Sequence, residues 1–139
     1  MADATYTVEL LTPEKTVLSA EVVSMVAPGS EGFLGVLANH APLITALQPG
    51  PLTLRYPDGR VEVVSVSGGF LEVSRNRAVV LADAIERPAE IDVSRAQASA
   101  DRARRRLKEA AASMDAQRSE AALTRALNRV HVARRWAGM

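Results

Sequence analysis

Arginine carries most of the chemistry available in the last third of the chain. Arg95 and Arg102 lie seven residues apart, and Arg125 and Arg129 lie four apart, spacings that put each pair on one face of a helix. A guanidinium is a planar, permanently charged fork of donors that matches phosphate oxygens, so two such pairs brought together by neighbouring helices form an anion site suited to a polyphosphate. Left apart, they are a solvated basic face. The run Arg102, Arg104, Arg105, Arg106 favours nucleic acid by counterion release, but Trp136 is the one aromatic of this half able to stack a base, and no nucleic-acid partner is expected.

Nothing else in the chain is arranged for turnover. His40 and His131 share no neighbourhood in sequence, and Asp83 with Glu86 reads as a structural pair of carboxylates rather than an acid/base couple. The GxxxxGK[ST], GxGxxG, HExxH and GxSxG patterns are all missing, which removes phosphate-cradling loops, helix-borne zinc sites and the nucleophile elbow. With no cysteine there are no disulfides, thiolate nucleophiles or iron–sulfur clusters, and with two histidines no metal site is expected. The expectation is a binding or regulatory protein without catalytic residues.

The elements that must position these groups fall into two kinds. All seven prolines (13, 28, 42, 49, 51, 57, 88) and every glycine but Gly138 lie before residue 90, in clusters between runs of Val, Leu, Ile and Thr, the punctuation of an all-β unit. Tyr6, Val8 and Leu10 alternate with polar residues as in a half-buried strand. Residues 52–56 and 61–66 flank Pro57-Asp58-Gly59 as a hairpin, and 70–73 with 79–81 flank Arg75-Asn76-Arg77 as another. Short strands at this spacing predict a β-sandwich or flattened barrel over 1–88. From 89 to 139 the period changes: Val93, Ala96, Ala100, Ala103, Leu107, Ala110 and Met114, then Leu123, Ala126, Val130, Ala133 and Ala137, mark two amphipathic helices in an antiparallel hairpin. Asp92 is the expected N-cap of the first, and Asp115 or Ser119 of the second. The stripes are mostly alanine, so the helices approach closely but bury little area, and the joint at 113–118 contains neither glycine nor proline. A weakly held pair with a helix-compatible joint has the makings of a two-state element.

The 139 residues suffice for one ordinary domain, or a small one with an appendage, and no apolar run approaches the roughly 20 residues that cross a bilayer. The start MADATYTVEL has neither the basic nor the apolar region of a signal peptide, so a cytosolic or membrane-peripheral protein is expected. The net charge of +1 hides a division: residues 1–89 carry 6 basic and 10 acidic groups, and residues 90–139 carry 11 basic and 6 acidic.

Three stretches, GSEGFLGVLANHAPLITALQPG (29–50), VSGGFLEV (66–73) and VLADAIER (80–87), together with the alanine-rich helical pair, resemble the epsilon subunit of bacterial F-type ATP synthase over nearly the whole chain. The resemblance implies a rotor subunit without an active site, coupling the central stalk to the c-ring during proton-driven ATP synthesis. Its β half would bind the gamma subunit and the ring of c subunits, with Glu31, Phe33 and His40 as ring contacts. The helical half would lie folded or extend into the catalytic head of alpha and beta subunits and inhibit ATP hydrolysis, with Arg125, Arg129, Arg134 and Arg135 meeting an acidic stretch of beta. Some members bind ATP through an I/L-D-x-x-R-A motif, complete here as Ile91-Asp92-Val93-Ser94-Arg95-Ala96, with Glu86, Arg102, Arg125 and Arg129 at the further positions. On this resemblance Ile91, Asp92 and Ala96 hold the adenine end and the arginines the phosphates. ATP would be a regulatory ligand favouring the folded form, with no cofactor required. The same likeness implies a place on the cytoplasmic side of the bacterial inner membrane, held there through the complex alone. The competing expectation is a free-standing ATP-sensing module that needs no gamma-facing surface.

Overall fold

The computed structural model describes residues 3–109 and 114–137. Eight strands come first: β1 (Tyr6–Leu11), β2 (Thr16–Val22), β3 (Ser24–Gly29), β4 (Gly32–Leu37), β5 (Leu43–Arg55), β6 (Val61–Ser74), β7 (Arg77–Leu81) and β8 (Ile85–Glu86). A single 3-10 turn at Pro88–Glu90 leads into α1 (Val93–Glu109) and α2 (Met114–Trp136). This is the β-sandwich followed by two helices that the sequence implies. The chain divides into two compact units, Met1–Glu86 and Arg87–Met139. That boundary lies two residues ahead of the break after Pro88, because the Pro88–Glu90 turn packs on α2.

Hydrogen-bonded neighbours run in the order β2-β1-β7-β6-β5-β3-β4, with β8 added to β6. β5 and β6 pair along their whole length, from Leu43↔Val73 to Arg55↔Val61. One end of β6 pairs with β7 and the far end of β5 with β3, so these two strands run through both layers of the sandwich. The buried residues record the fold-over. Leu47 gives way to Leu52 and Leu54 in β5, and Val64 and Val66 to Leu71 and Val73 in β6, so the period of two slips once in each strand. The slip falls where Gln48 has no register partner and Gly68 and Gly69 stand at φ 102° and 134°. A Cβ on Gly69 would lie 2.0 Å from the Leu81 carbonyl oxygen, so only glycine fits where β6 passes β7. The expected hairpins at 52–66 and 70–81 therefore share one strand. The second turn is Arg75-Asn76, both in the left-handed region at φ 51° and 59°, with Arg77 already in β7.

β1 alternates as expected, with Tyr6, Val8 and Leu10 buried among Met25, Leu52, Leu54, Leu71 and Val80. Each such side chain contributes about 1.5–3 kcal/mol by leaving water. β1 also runs parallel to β7 in the register Thr7↔Arg77 to Leu11↔Leu81, and Glu9 and Arg77 form an ion pair across that junction. The Tyr6 hydroxyl crosses the core and donates to the Val36 carbonyl at 2.6 Å. Burial pushes this phenol well above its ordinary range. At the β6–β7 turn the Asn76 carboxamide accepts from the Asn39 N–H at 2.7 Å and donates to the Thr5 carbonyl at 3.0 Å, joining three chain segments.

In the second unit Asp92 caps α1 as expected, its Oδ1 accepting from the Arg95 N–H at 3.1 Å. Ala96, Ala100 and Ala103 form the buried stripe of α1; Ser119, Ala126, Val130, Val132 and Ala133 are buried in α2. Ile91 and Ala96, at the start of α1, pack with Val130, Val132 and Ala133 near the end of α2, so the helices are antiparallel. The caps expected for α2 do not hold. The helix begins at Met114, which puts Asp115 and Ser119 inside it, and Ser119 is buried rather than at a terminus. Residues 114–118 of the expected joint are thus helical, while Ser113 and stripe residue Ala110 lie outside the described residues.

Candidate functional site

Within the I-D-x-x-R-A segment three positions have structural work. Ile91 is buried against α2, Asp92 caps α1, and Ala96 is fully buried between the helices, where a larger side chain would push them apart. Arg95 is exposed. One helical repeat further on, Arg102 is exposed too and donates to Ser99 Oγ at 3.0 Å, which orients its guanidinium along the same face. Arg106, taken in the sequence only as part of a basic run, follows Arg95, Ser99 and Arg102 at spacings of four, three and four and extends this column.

On α2, Arg125 is exposed and Arg129 half-buried. Ala96 packs with Val130 and Ala133, and counting along two antiparallel helices from that contact brings Arg102 level with Arg125. Counted at 3.6 residues per turn from the buried stripe of each helix, Arg95 and Arg102 of α1 and Arg125 and Arg129 of α2 fall toward the same flank of the pair. Glu86 is half-buried at the end of β8, paired with Ser65, in the first compact unit. Arg134 and Arg135 are exposed in the last turn of α2, where positive charge suits the helix dipole. Arg135 lies over the Trp136 ring at 5.7 Å, and His131 meets the same ring edge-on at 5.5 Å.

The three candidate ring contacts do not share one end of the sandwich. Glu31 sits in the β3–β4 turn and Phe33, 67% exposed, follows at the start of β4. His40 lies past the other end of β4, roughly 20 Å along the strand direction, with Nδ1 2.7 Å from the Ala41 carbonyl oxygen. A surface that sequence reasoning missed crosses four strands in register: Ala46, Phe70, Leu81 and Leu11, with Ile44 two residues along β5. Ile44, Phe70 and Leu81 are 74%, 60% and 50% exposed. The signal was present as apolar residues on both phases of these strands, which alternation alone assigns to a buried strand. Among the described residues no group of three histidine or carboxylate side chains is placed to hold a metal, and no helix is long and apolar enough to cross a membrane.

A β-sandwich followed by a pair of helices defines a class, and comparison with known proteins places the chain in it. Residues 5–88 match the family model for the ATP synthase delta/epsilon chain β-sandwich domain, and residues 89–134 match the long α-helix domain of the same chain. The chain belongs to the ATP synthase epsilon-chain family. It is 49% identical over 130 residues to the ATP synthase epsilon chain of Moorella thermoacetica, covering 94% of this chain and 97% of that one. It is 47% identical over 129 residues to the epsilon chain of Desulforamulus reducens, covering 93% and 97%. Its fold is similar to a chain of the Euglena gracilis mitochondrial ATP synthase, with TM-score 0.80 at 23% identity over 92% of this chain and 81% of that one. A chain from the Tetrahymena thermophila mitochondrial ATP synthase central stalk and c-ring superposes with TM-score 0.55 at 21% identity over 66% and 72%.

Proposed function

We propose that this chain is a non-catalytic subunit of the ATP synthase central stalk, which couples the stalk to the c-ring and restrains ATP hydrolysis through its helical pair. Its partners on this reading are the gamma subunit and the c-ring for the β half, and the alpha and beta subunits for the helical pair when extended. Support for the first comes from the apolar row of Phe70, Leu81 and Ile44, an exposed patch of the kind that marks subunit contacts. Glu31 and Phe33 suit one ring-facing end, and His40 belongs to a different end. Arg125, Arg129, Arg134 and Arg135 supply the cationic face for an acidic stretch of beta. On this reading the chain lies on the cytoplasmic side of the bacterial inner membrane, held there through the complex.

The observation that carries the regulatory reading is the common flank of Arg95, Arg102, Arg125 and Arg129 on a helical pair joined mainly through alanine. ATP is the proposed ligand: the four arginines hold its phosphates, and the Ile91–Asp92–Ala96 segment borders the adenine. Because Ile91 and Ala96 are buried, their part is to fix the helix spacing at which the arginines converge. A ligand that binds only the closed pair stabilises it by mass action. Titration calorimetry with ATP at physiological salt is expected to show saturable one-to-one binding that the Arg95→Ala, Arg129→Ala double variant loses. If wild type takes up no heat to millimolar ATP, the site is wrong and the arginines belong to the beta contact.

A further inference from the structure

The strand order leaves β2 and β4 at the two ends of the sandwich ladder. Such edges expose unpaired backbone groups, and proteins blunt them with charge, proline or bulges. β2 is blunted: Glu21 stands on it, held by the Thr5 and Thr7 hydroxyls, and its pairing with β1 shifts register at Leu10/Leu11. β4 reads GFLGVL, with no charge and no proline, and its ladder to β3 runs without a shift from Ser24↔Leu37 to Gly29↔Gly32.

Alternation decides which groups of β4 remain open. The Ser30 N–H donates to the Ala46 carbonyl of β5 at 3.1 Å, so Gly29 beside it turns to β4, and in a ladder without a shift Ala27 and Met25 turn there too and are met by Leu34 and Val36. Phe33, Gly35 and Leu37 then direct their N–H and C=O groups away from the sheet. The Leu37 carbonyl accepts from the His40 N–H at 3.2 Å, which leaves the N–H groups of Phe33, Gly35 and Leu37 facing outward. Phe33 and Leu37 are 67% and 62% exposed, and Val26, opposite Gly35, lies on the same face.

This edge is complementary to itself. Antiparallel pairing of two copies about Gly35 sets Phe33 of one copy opposite Leu37 of the other, twice, with the two Gly35 residues on the axis. All three outward positions then exchange hydrogen bonds in one register. The four exposed apolar side chains and the two Val26 close into one strip. Charge agrees: the same register sets Glu31 opposite Asn39, so no like charges meet. Because β4 has one free edge, the contact closes at two copies.

We propose that β4 is a self-association surface, and that the chain outside its larger assembly forms a two-fold dimer by pairing β4 with β4 of a second copy. The short strand puts the contact at the small end of interface sizes, so dimerisation belongs to high protein concentration. The full chain has no cysteine, which makes a single introduced one a clean reporter. A Cβ at Gly35 meets nothing within 4 Å, so Gly35→Cys fits. Two such residues across a hydrogen-bonded pair have Cα atoms about 5.5 Å apart, inside the disulfide range. Mild oxidation of Gly35→Cys is expected to give a covalent dimer, while Ser19→Cys on β2 stays monomeric. Sedimentation of the wild type is expected to show a monomer–dimer equilibrium that Leu37→Lys shifts at least tenfold toward monomer, with Phe70→Lys unchanged. A wild type monomeric at every concentration, with no Gly35→Cys dimer, overturns the proposal. So does a dimer that survives Leu37→Lys and is lost in Phe70→Lys, which would assign association to the other face. β4 amides that gain exchange protection only when a different subunit is added would give the edge to that subunit and overturn it equally.

Discussion

Asp92 shows how one side chain can serve two readings. As the cap of α1 it satisfies the Arg95 N–H whether or not a nucleotide is present, so Asp92→Ala should cost about 1 kcal/mol of stability without ligand. Urea unfolding followed by helical ellipticity measures this, and unchanged stability would mean that the cap contributes nothing. Tyr6 offers a separate test through pH. Its phenol is held above the ordinary value of 10.0 by burial, so the stability tied to the neutral hydroxyl is complete below pH 10 and is lost as pH rises beyond it. Tyr6→Phe should lower stability at pH 7 by about 1 kcal/mol, through the lost bond to Val36, and flatten the alkaline fall. An alkaline profile identical to wild type would place the titration elsewhere. The cap at Asp92 was legible because an Asx residue immediately preceding an apolar period has one common use. Ser119 misled for the converse reason: α2 starts at Met114, and nothing local in that stretch marks the earlier start.

Among the elements, the helices and the strands are held by different means. The sandwich core is built from leucine, valine and tyrosine, whereas α1 meets α2 through Ala96, Ala100 and Ala103. Less apolar area per residue means that the helical pair opens at a smaller cost. On heating, the helical ellipticity at 222 nm should fall before the near-ultraviolet signal of Tyr6 and Tyr56, both buried in the sandwich core. A single coincident transition would show that the two units melt as one. The strands of β1 and the two hairpin turns could be read from alternation and turn chemistry. The continuity of β5 and β6 could not, since each loses its period where the chain folds over and then resembles two short strands. The parallel pairing of β1 with β7 has no local signal either, because it joins residues about seventy positions apart.

Across the whole molecule, the order of elements and the division of charge between the two parts were legible, because the period of the apolar residues and the sequence itself carry them. The exposed row of Phe70 and Leu81 and the open edge of β4 were not: which face of a strand meets solvent depends on partners that only the folded topology supplies. β5 and β6 add a mechanical property to this topology. Two stacked sheets joined by side chains alone can slide over one another, since the contacts between them are small and re-form after each step. Here two adjacent covalent chains turn the corner together, stitched by backbone hydrogen bonds along their length. A twisting load on one layer therefore reaches the other through peptide bonds in tension, and the sandwich answers torque as a single stiff body.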